Sequence, residues 1–314
     1  MKITALVISL ALLLAAAPAA LAADGIQYLR SRQTSSGGFA ESGSGTPSTV
    51  VTEWTVMGLR AAGVAAGSVH RSGGRPATAY LTAHAGSWQN AYDLERGILA
   101  VVATGHNPAS FGGRNLVTTL RGKIGARGQI GSAANSTYWG VLALRAAGSS
   151  VPARTLQYIG SRQHRTGGYG WSISAAPDSN DTAAAVLALH AAGVGCGSGR
   201  ISHAYGYLGT AQTSSHGYGL LPGAAADSQS TSWVIQARHA CGLRNRRSRA
   251  WLVARELPNG AFNYQPGSTI TPAFVTAQVL PALHGRFYPI RSICGAWHRV
   301  FSAARPRRRP PGRS

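Results

Sequence analysis

Apolar and polar positions along this chain repeat as a unit of 42 to 49 residues. Six apolar, alanine-rich stretches, each long enough for three helical turns, end at a glycine: Gly63, Gly105, Gly148, Gly193, Gly242 and Gly285. Each stretch starts with Asp, Asn, Ser or Thr, which cap helix N-termini, and glycine accepts the left-handed conformation that ends a helix. The pattern therefore predicts one helix in every unit.

A glycine-containing turn precedes four of these helices at an almost fixed distance. The turns read QTSSGGF from Gln33, QHRTGGY from Gln163, QTSSHGY from Gln212 and ELPNGAF from Glu256, and each closing aromatic lies 23 or 24 residues before a helix-ending glycine. A shorter helical pattern lies upstream of each turn, so the unit is helix, turn, helix. Such hairpins bury their apolar faces only by stacking. We predict an all-α fold, an α/α toroid of six helical hairpins with six inner and six outer helices.

These features resemble the prenyltransferase and squalene-cyclase repeat superfamily, whose fold is an α/α toroid. The Gln-x-x-x-Gly-Gly-aromatic turns are similar to that family's QW motifs, and the resemblance covers roughly residues 24 to 285. The inner helices, such as DTAAAVLALHAAG, also resemble the toroid domain of cobalamin carriers. The resemblance implies the fold, but the same toroid serves terpene cyclases, protein prenyltransferases, thioester domains and cobalamin carriers, so it does not fix the chemistry.

The termini divide the chain into three parts. Residues 1–22 have the single charge Lys2, an apolar run and a small-residue exit at Ala20 to Ala22, which predicts a cleavable signal peptide and an exported protein; a retained anchor is the alternative. Residues 23–301 form the predicted toroid. Residues 302–314 carry five arginines among prolines and are predicted to be disordered. We also expect the segment from Phe287 to Phe301 to pack over the seam between the first and sixth units.

The charge balance is strongly cationic, with 28 Arg and 2 Lys against 9 acids and a net charge of +21. The arginine-rich tail offers a contact for an anionic wall polymer or membrane surface, and the alternative is that the charge serves solubility alone. Nucleic acid is not an expected partner because no recognised binding module accompanies the charge.

The cysteines and histidines do not suggest a metal centre. Cys196 and Cys241 occupy the same end of adjacent units, and both a disulfide and two free thiols remain open, while Cys294 has no evident partner. Resemblance to a protein prenyltransferase would imply a zinc site of Asp, Cys and His. That set of ligands is missing from this sequence. We predict no metal and no cofactor.

One segment, DSNDTA from Asp178 to Ala183, resembles the DxDDTA motif of class II terpene cyclases. In that family the middle aspartic acid donates the proton that starts cyclisation. Asn180 stands at that position here, and an amide has no ionisable proton, so Asp178 and Asp181 lack the acid that they would orient. The resemblance with this departure implies shared architecture without cyclase activity.

Further candidate residues come from counting back from each glycine. Tryptophan stands nine residues before the glycine in the first, third and fifth units, as Trp54, Trp139 and Trp233, one helical turn from the level of Asp93, Asn135 and Asp181. If that face is luminal, the toroid holds an aromatic cage with an acidic and amide rim. If it faces the outer ring, the tryptophans are core residues and the acids are helix caps, with Asp181 capping its helix.

Three classes of function remain. We expect the central cavity to bind a bulky, partly apolar or amphiphilic ligand, isoprenoid- or corrinoid-like, through Asp178, Asn180, Asp181, Asp93, Asn135, Trp54, Trp139 and Trp233, without transforming it. A partner chain over the cavity is left open. The alternatives are an isoprenoid cyclase with a degenerate motif, and a glycosidase or a scaffold without a small ligand.

Overall fold

A computed structural model describes residues 24–290. Twelve α-helices lie within this range. The odd-numbered helices are α1 (24–31), α3 (Ala77–His84), α5 (Leu116–Arg121), α7 (Ala153–Ser161), α9 (Gly199–Thr210) and α11 (Arg246–Val253). The even-numbered helices are α2 (Thr49–Ala61), α4 (Ala91–Ala103), α6 (Ala134–Ala146), α8 (Ser179–Ala191), α10 (Ser228–Ala240) and α12 (Pro272–Leu283). Three short 3₁₀ helices, Ala66–Ser68, Ala85–Ser87 and Pro108–Ser110, lie in the connections.

The even-numbered helices form a closed ring. Each of them packs against the next even-numbered helix, and α12 packs against α2, which closes the circle. Helices α3, α5, α7, α9 and α11 each pack against the even-numbered helix that precedes them, so they lie outside the ring. Within residues 24–290 the only β-pairing is isolated bridges in the turns. The predicted all-α toroid is confirmed.

The six helix-ending glycines adopt the predicted left-handed conformation, with φ between 60° and 94°. At α2 the amide of Gly63 donates to the carbonyl of Arg60, and that of Val64 donates to the carbonyl of Leu59, the pattern of a Schellman ending. The opposite ends carry the predicted side-chain caps at Ser48, Asn90, Asp178 and Asp227. Local signals in the sequence thus set both ends of most inner helices.

A buried threonine explains why turn and inner helix keep a fixed distance in sequence. The amide of Tyr169, the closing aromatic of one turn, donates to Oγ1 of Thr182 in α8 at 2.9 Å. The same bond joins Phe39 to Thr52, Ile130 to Thr137, Tyr218 to Thr231 and Phe262 to Thr276. Glutamines of the turns reach outward: Gln163 Nε2 donates to the carbonyls of Gly167 and Arg200, which ties the turn to α9. The threonines therefore fasten the turns to the inner ring, and Gln163 fastens its turn to the outer ring as well.

The chain after α12 enters the centre of the ring. The ring of Phe287 contacts His190 and His239 near the C-terminal ends of α8 and α10, with centroids 5.8 Å apart in both cases. Tyr288 is fully buried. Phe287 and Tyr288 contact side chains of α2, α6, α8 and α10, which belong to the first, third, fourth and fifth units, so they lie within the ring and not only over the seam between the first and sixth units. Residues 291–301 of the same expectation lie outside the described residues.

A disulfide joins Cys196 and Cys241, with Cα atoms 5.6 Å apart, and links the connections that follow α8 and α10. The predicted signal peptide, the arginine-rich tail and Cys294 lie outside the described residues. Within residues 24–290 no helix is both long and apolar enough to cross a membrane.

Candidate functional site

A cavity of about 400 Å³ opens at the end of the ring where the inner helices begin. All six inner helices contribute to its wall, for example through Val50 of α2, Tyr92 of α4, Asn135 of α6, Gln229 of α10 and Phe274 of α12. The size falls within the range of about 300 to 1,000 Å³ that small-molecule sites occupy. The cavity is therefore large enough for an organic ligand.

The floor of the cavity is aromatic. Trp54, Trp139 and Trp233 all line it and contact one another edge to face, with centroids 5.1 to 5.7 Å apart. Trp54 is 6% exposed and Trp233 is 3% exposed, whereas Trp139 is only partly buried. Tyr288 packs beneath them at 5.4 to 5.9 Å from each ring. The tryptophans face the lumen, and they are at the same time core residues that close the ring on its lower side.

Arginine replaces tryptophan at the corresponding position of the second unit. Arg96 lines the cavity, and its guanidinium contacts Glu53 at 3.0 Å and Asp93 at 2.9 Å. Asp93 also accepts a hydrogen bond from Asn90. The predicted site residue Asp93 thus holds Arg96 in place and does not itself line the cavity. Glu53 is fully buried, and burial raises its pKa to about 7 although Arg96 pulls the value down.

The DSNDTA segment forms the first turn of α8. Asp178 is the N-cap, and its side chain accepts a hydrogen bond of 2.8 Å from the backbone amide of Asp181. The expectation that Asp181 caps this helix is wrong, because the extended backbone that a cap requires occurs at Asp178 and Asp181 already lies within the helix. Asp181 instead accepts a hydrogen bond from Nδ2 of Asn135 in α6. The structure therefore brings the predicted residues of α6 and α8 together at the cavity wall.

Asp178 and Asp181 behave as one titrating pair. Their side chains hydrogen bond to each other, and burial raises the pKa of both carboxyl groups. The charge of Asp178 adds to the effect of burial and raises the pKa of Asp181 to about 8. Near neutral pH the pair therefore retains a proton between its oxygens. Asn180 lines the cavity beside them, and its Oδ1 is buried without a hydrogen-bond partner.

Several wall residues were not predicted as site residues. Glu95 of α4 is 1% exposed, accepts a hydrogen bond from Oγ of Ser136 and lines the cavity, and burial raises its pKa well above the ordinary value. The signal for it was its register, because Glu53 and Glu95 both lie ten residues before a glycine. Gln278 of α12 was missed as well; it accepts from the indole of Trp233 at 3.2 Å.

Apolar side chains surround the mouth. Val50, Trp171 and Leu220 line it and are 37%, 53% and 39% exposed. Ile173 and Leu221, which follow in the same two loops, are also exposed. These five are among the seven large apolar side chains exposed within residues 24–290. The cavity therefore has three levels: an aromatic floor, a belt of carboxyl and amide groups, and an apolar lip.

Asp178 and Asp181 as a pair are poorly arranged for two familiar reactions. Protonation of an alkene needs a strong acid, and a carboxyl with a pKa of about 8 is a weak one. Glycosidases hold their two carboxyl groups about 5 Å apart or more, whereas Asp178 and Asp181 are hydrogen bonded to each other. In the described part of the chain, the candidate metal ligands are His190, Cys196 and Cys241, and both cysteines are in the disulfide.

Neither a protein-family profile nor a curated protein sequence matches the chain. Solved structures do match. A protein from Actinoplanes has a TM-score of 0.61 at 15% identity, over 85% of this chain and 99% of that one. A variant of the type II terpene cyclase MstE from Scytonema, in complex with the substrate geranylgeranyl dihydroxybenzoate, has a TM-score of 0.59 at 13% identity, over 85% of this chain and 96% of that one. A glycosidase reaches 0.61 at 13% identity, over 84% and 95%. At these identities the likeness shows a shared toroid fold.

Proposed function

We propose that this chain is an exported toroid protein that binds a bulky, partly apolar ligand in its central cavity and does not transform it. The observation that carries the proposal is the cavity itself, where a tryptophan floor and a belt of buried polar groups face the same space. Largely apolar walls with a few convergent polar groups are typical of small-molecule sites. The ligand belongs to the isoprenoid-like or corrinoid-like class, with an apolar body for the tryptophans and a polar group for the belt.

The belt supplies hydrogen bonds to the ligand. Asn180 Oδ1 has no partner in the protein, and a buried acceptor without a partner costs about 1 to 3 kcal/mol, which a ligand donor would recover. The protonated carboxyl pair of Asp178 and Asp181 can both donate and accept. Asn135 holds Asp181 in position, and Asp93 does the same for Arg96. These groups favour orientation of a bound molecule over proton transfer to it.

Export is part of the proposal and rests on the sequence of residues 1–22. The disulfide between Cys196 and Cys241 supports it, because disulfides persist in oxidising compartments. The arginine-rich tail would then meet an anionic wall polymer or membrane surface. The exposed apolar lip is also a contact that a partner chain over the cavity would cover.

Binding is tested by titrating the mature chain with geranylgeraniol and, separately, with a corrinoid, while tryptophan fluorescence is recorded. Trp139→Ala should weaken binding at least tenfold because it removes a partly exposed indole from the floor. Trp251→Ala is the matched control, since Trp251 lies on the outer helix α11 and stacks with Arg255. Equal affinities for the two variants and the wild type, or no binding of either compound, would refute a ligand site in this cavity.

The absence of transformation is tested by incubating the protein with squalene and with a linear polyprenyl substrate. No cyclised product is expected from the native sequence. Turnover by the native protein would overturn the proposal. Turnover by the native protein is what the alternative, a cyclase with a degenerate motif, requires, whereas product from Asn180→Asp alone would support descent from a cyclase.

A further inference from the structure

The few acidic residues of this strongly cationic chain are concentrated around the cavity. The chain has a net charge of +21 and only 9 acids, yet three of them, Glu95, Asp178 and Asp181, line one cavity. Two more, Glu53 and Asp93, bind Arg96 in the same wall. Three carboxyl groups thus line the cavity, and two more lie behind them in contact with the one arginine of the wall. A solvated acidic face does not explain this placement, because Glu53, Glu95 and Asp181 are at most 4% exposed.

Arg96 shows what this belt stabilises. It stands at the level of the tryptophans and satisfies Glu53 and Asp93. The Glu95 carboxyl accepts a hydrogen bond from the neutral Ser136, and that of Asp181 accepts one from the neutral Asn135. Within residues 24–290 neither they nor Asp178 form an ion pair. Glu53 retains one buried oxygen without a partner. The belt therefore has more carboxyl groups than cations.

The floor offers the second element of cation recognition. Indole rings attract cations that lie within about 6 Å of the ring centroid, and tryptophan does so most strongly. Three indoles line this floor directly beside the carboxyl belt. The exposed apolar residues lie at the lip, farthest from the floor. A ligand that matches these levels carries its charge at the inner end and its apolar body toward the mouth.

Building on the proposed function, we infer that the cavity takes a cationic amphiphile, with an ammonium head held between the tryptophan floor and Glu95, Asp178 and Asp181, and an apolar tail along Val50, Trp171 and Leu220. The head forms no covalent bond. When it enters, the proton shared by Asp178 and Asp181 leaves to water, and the two carboxylates that result pair with the head. The pair releases one proton for each cation bound.

This exchange makes binding depend on pH in a defined direction. Below pH 8 the cation competes with the proton on the Asp178 and Asp181 pair, so affinity should rise with pH and level off once the pair is ionised. The charged or titratable groups that face this pair are Tyr92, Glu95 and Arg96 from α4, Tyr138 from α6, and Tyr207 from α9. Burial raises the pKa of all three tyrosines, so none of them titrates in competition near neutral pH. Burial also raises the pKa of Glu95, and its proton competes with the cation in the same direction as that of the pair.

The test compares two probes of equal shape by isothermal titration calorimetry on the mature chain, below their micelle concentrations. Decyltrimethylammonium carries the charge, and decyldimethylamine N-oxide has the same chain and a similar head without net charge at neutral pH. We expect the ammonium probe to bind at least tenfold more tightly at pH 7.5. Its affinity should fall by up to tenfold per pH unit between pH 8 and pH 6 with proton release, while that of the N-oxide stays constant.

Two variants separate the possible outcomes. Asp181→Asn should abolish the preference for the ammonium probe and its pH dependence, and Asp24→Asn, which changes an exposed acid of α1, should preserve both. Equal affinities of the wild type for both probes would overturn the cationic head and leave the proposed binding function standing. If neither probe binds and geranylgeraniol does not bind either, the binding function falls together with this inference.

Discussion

Replacing Asp181 by asparagine should stabilise the protein near neutral pH. Asp181 is 4% exposed, and its pKa rises to about 8 from 3.8 because burial and the charge of Asp178 disfavour the ionised form. An asparagine side chain has the same shape and no charge. Its oxygen can still accept from Asn135, and its amide nitrogen can donate to Asp178 in place of the shared proton.

The magnitude follows from proton linkage. The pKa of Asp181 is higher in the folded protein than in the unfolded chain, so the folded protein binds one more proton between about pH 4 and pH 8. The contribution of this proton to the free energy of unfolding is therefore complete below about pH 4 and is lost as the pH rises toward about 8. Each pH unit above the unfolded pKa lowers the free energy of unfolding by about 1.4 kcal/mol, which would reach about 4 kcal/mol at pH 7 for an isolated carboxyl group. Since Asp178 shares the proton, we expect Asp181→Asn to recover about 2 to 4 kcal/mol. That corresponds to a rise in Tm of roughly 5 to 10 °C.

The assay is thermal and urea unfolding of wild type and variant from pH 4 to pH 8.5. The two proteins should have equal stability near pH 4, and their stabilities should diverge as the pH rises. Only the wild type has a buried carboxyl at position 181 whose folded pKa differs from its unfolded pKa. Asp24→Asn provides the control, since Asp24 is exposed and its replacement should lower only the pKa of Glu256, which its charge helps to raise, and should not reproduce the stabilisation expected for Asp181→Asn. A variant that is less stable than wild type at pH 7, or that keeps the wild-type slope, would show that Asp181 is stabilised as a carboxylate.

Three other substitutions test the scaffold by denaturant unfolding. Cys196→Ser should lower the free energy of unfolding by about 4 kcal/mol, since the bond to Cys241 closes a loop of 45 residues, and an equal loss on reduction of the wild type is the check. Tyr288→Phe should leave stability unchanged or raise it by about 1 kcal/mol, because the buried hydroxyl has no partner; a clear loss would reveal one. Thr182→Val should cost about 1 to 3 kcal/mol by leaving the amide of Tyr169 unbonded, and a change below about 0.5 kcal/mol would contradict its role in fastening the turn.

The fold could be predicted from the sequence because its signals are local. Helix caps, the terminal glycines such as Gly193 and the turns such as the one from Gln163 all act within one unit, and a repeated unit must stack on its neighbours. Closure of the ring is a contact between α2 and α12, which no local signal encodes. It was predictable only from the number of units. The threonine bonds, such as that of Thr182, were not predicted, since a threonine in an apolar helix is ordinary in sequence.

The site was predicted in part for the same reason. Register placed Trp54, Trp139 and Trp233 at one level, and the structure shows that this level is luminal. Glu95 was not selected, because the sequence does not tell a buried helix carboxyl from an exposed one. Tyr288 was missed because the spacing in the segment from Phe287 to Phe301 predicts a position over the seam and does not show which of its residues enters the ring. Such contacts depend on how distant units surround a shared space, and that information is absent from any single unit.

Asn180, at a position where the cyclase motif has an aspartic acid, also bears on what its neighbours do. In the cyclase motif that DSNDTA resembles, two flanking carboxyl groups orient a third that donates the proton. With an amide in the middle, Asp178 and Asp181 have no acid to orient, and in this structure they bind each other instead. Burial disfavours the charged form of both Asp178 and Asp181, so the pair retains the proton that it shares. A pair that retains its proton in this way is poorly suited to transfer it to carbon, and for this reason we propose that these residues recognise a ligand.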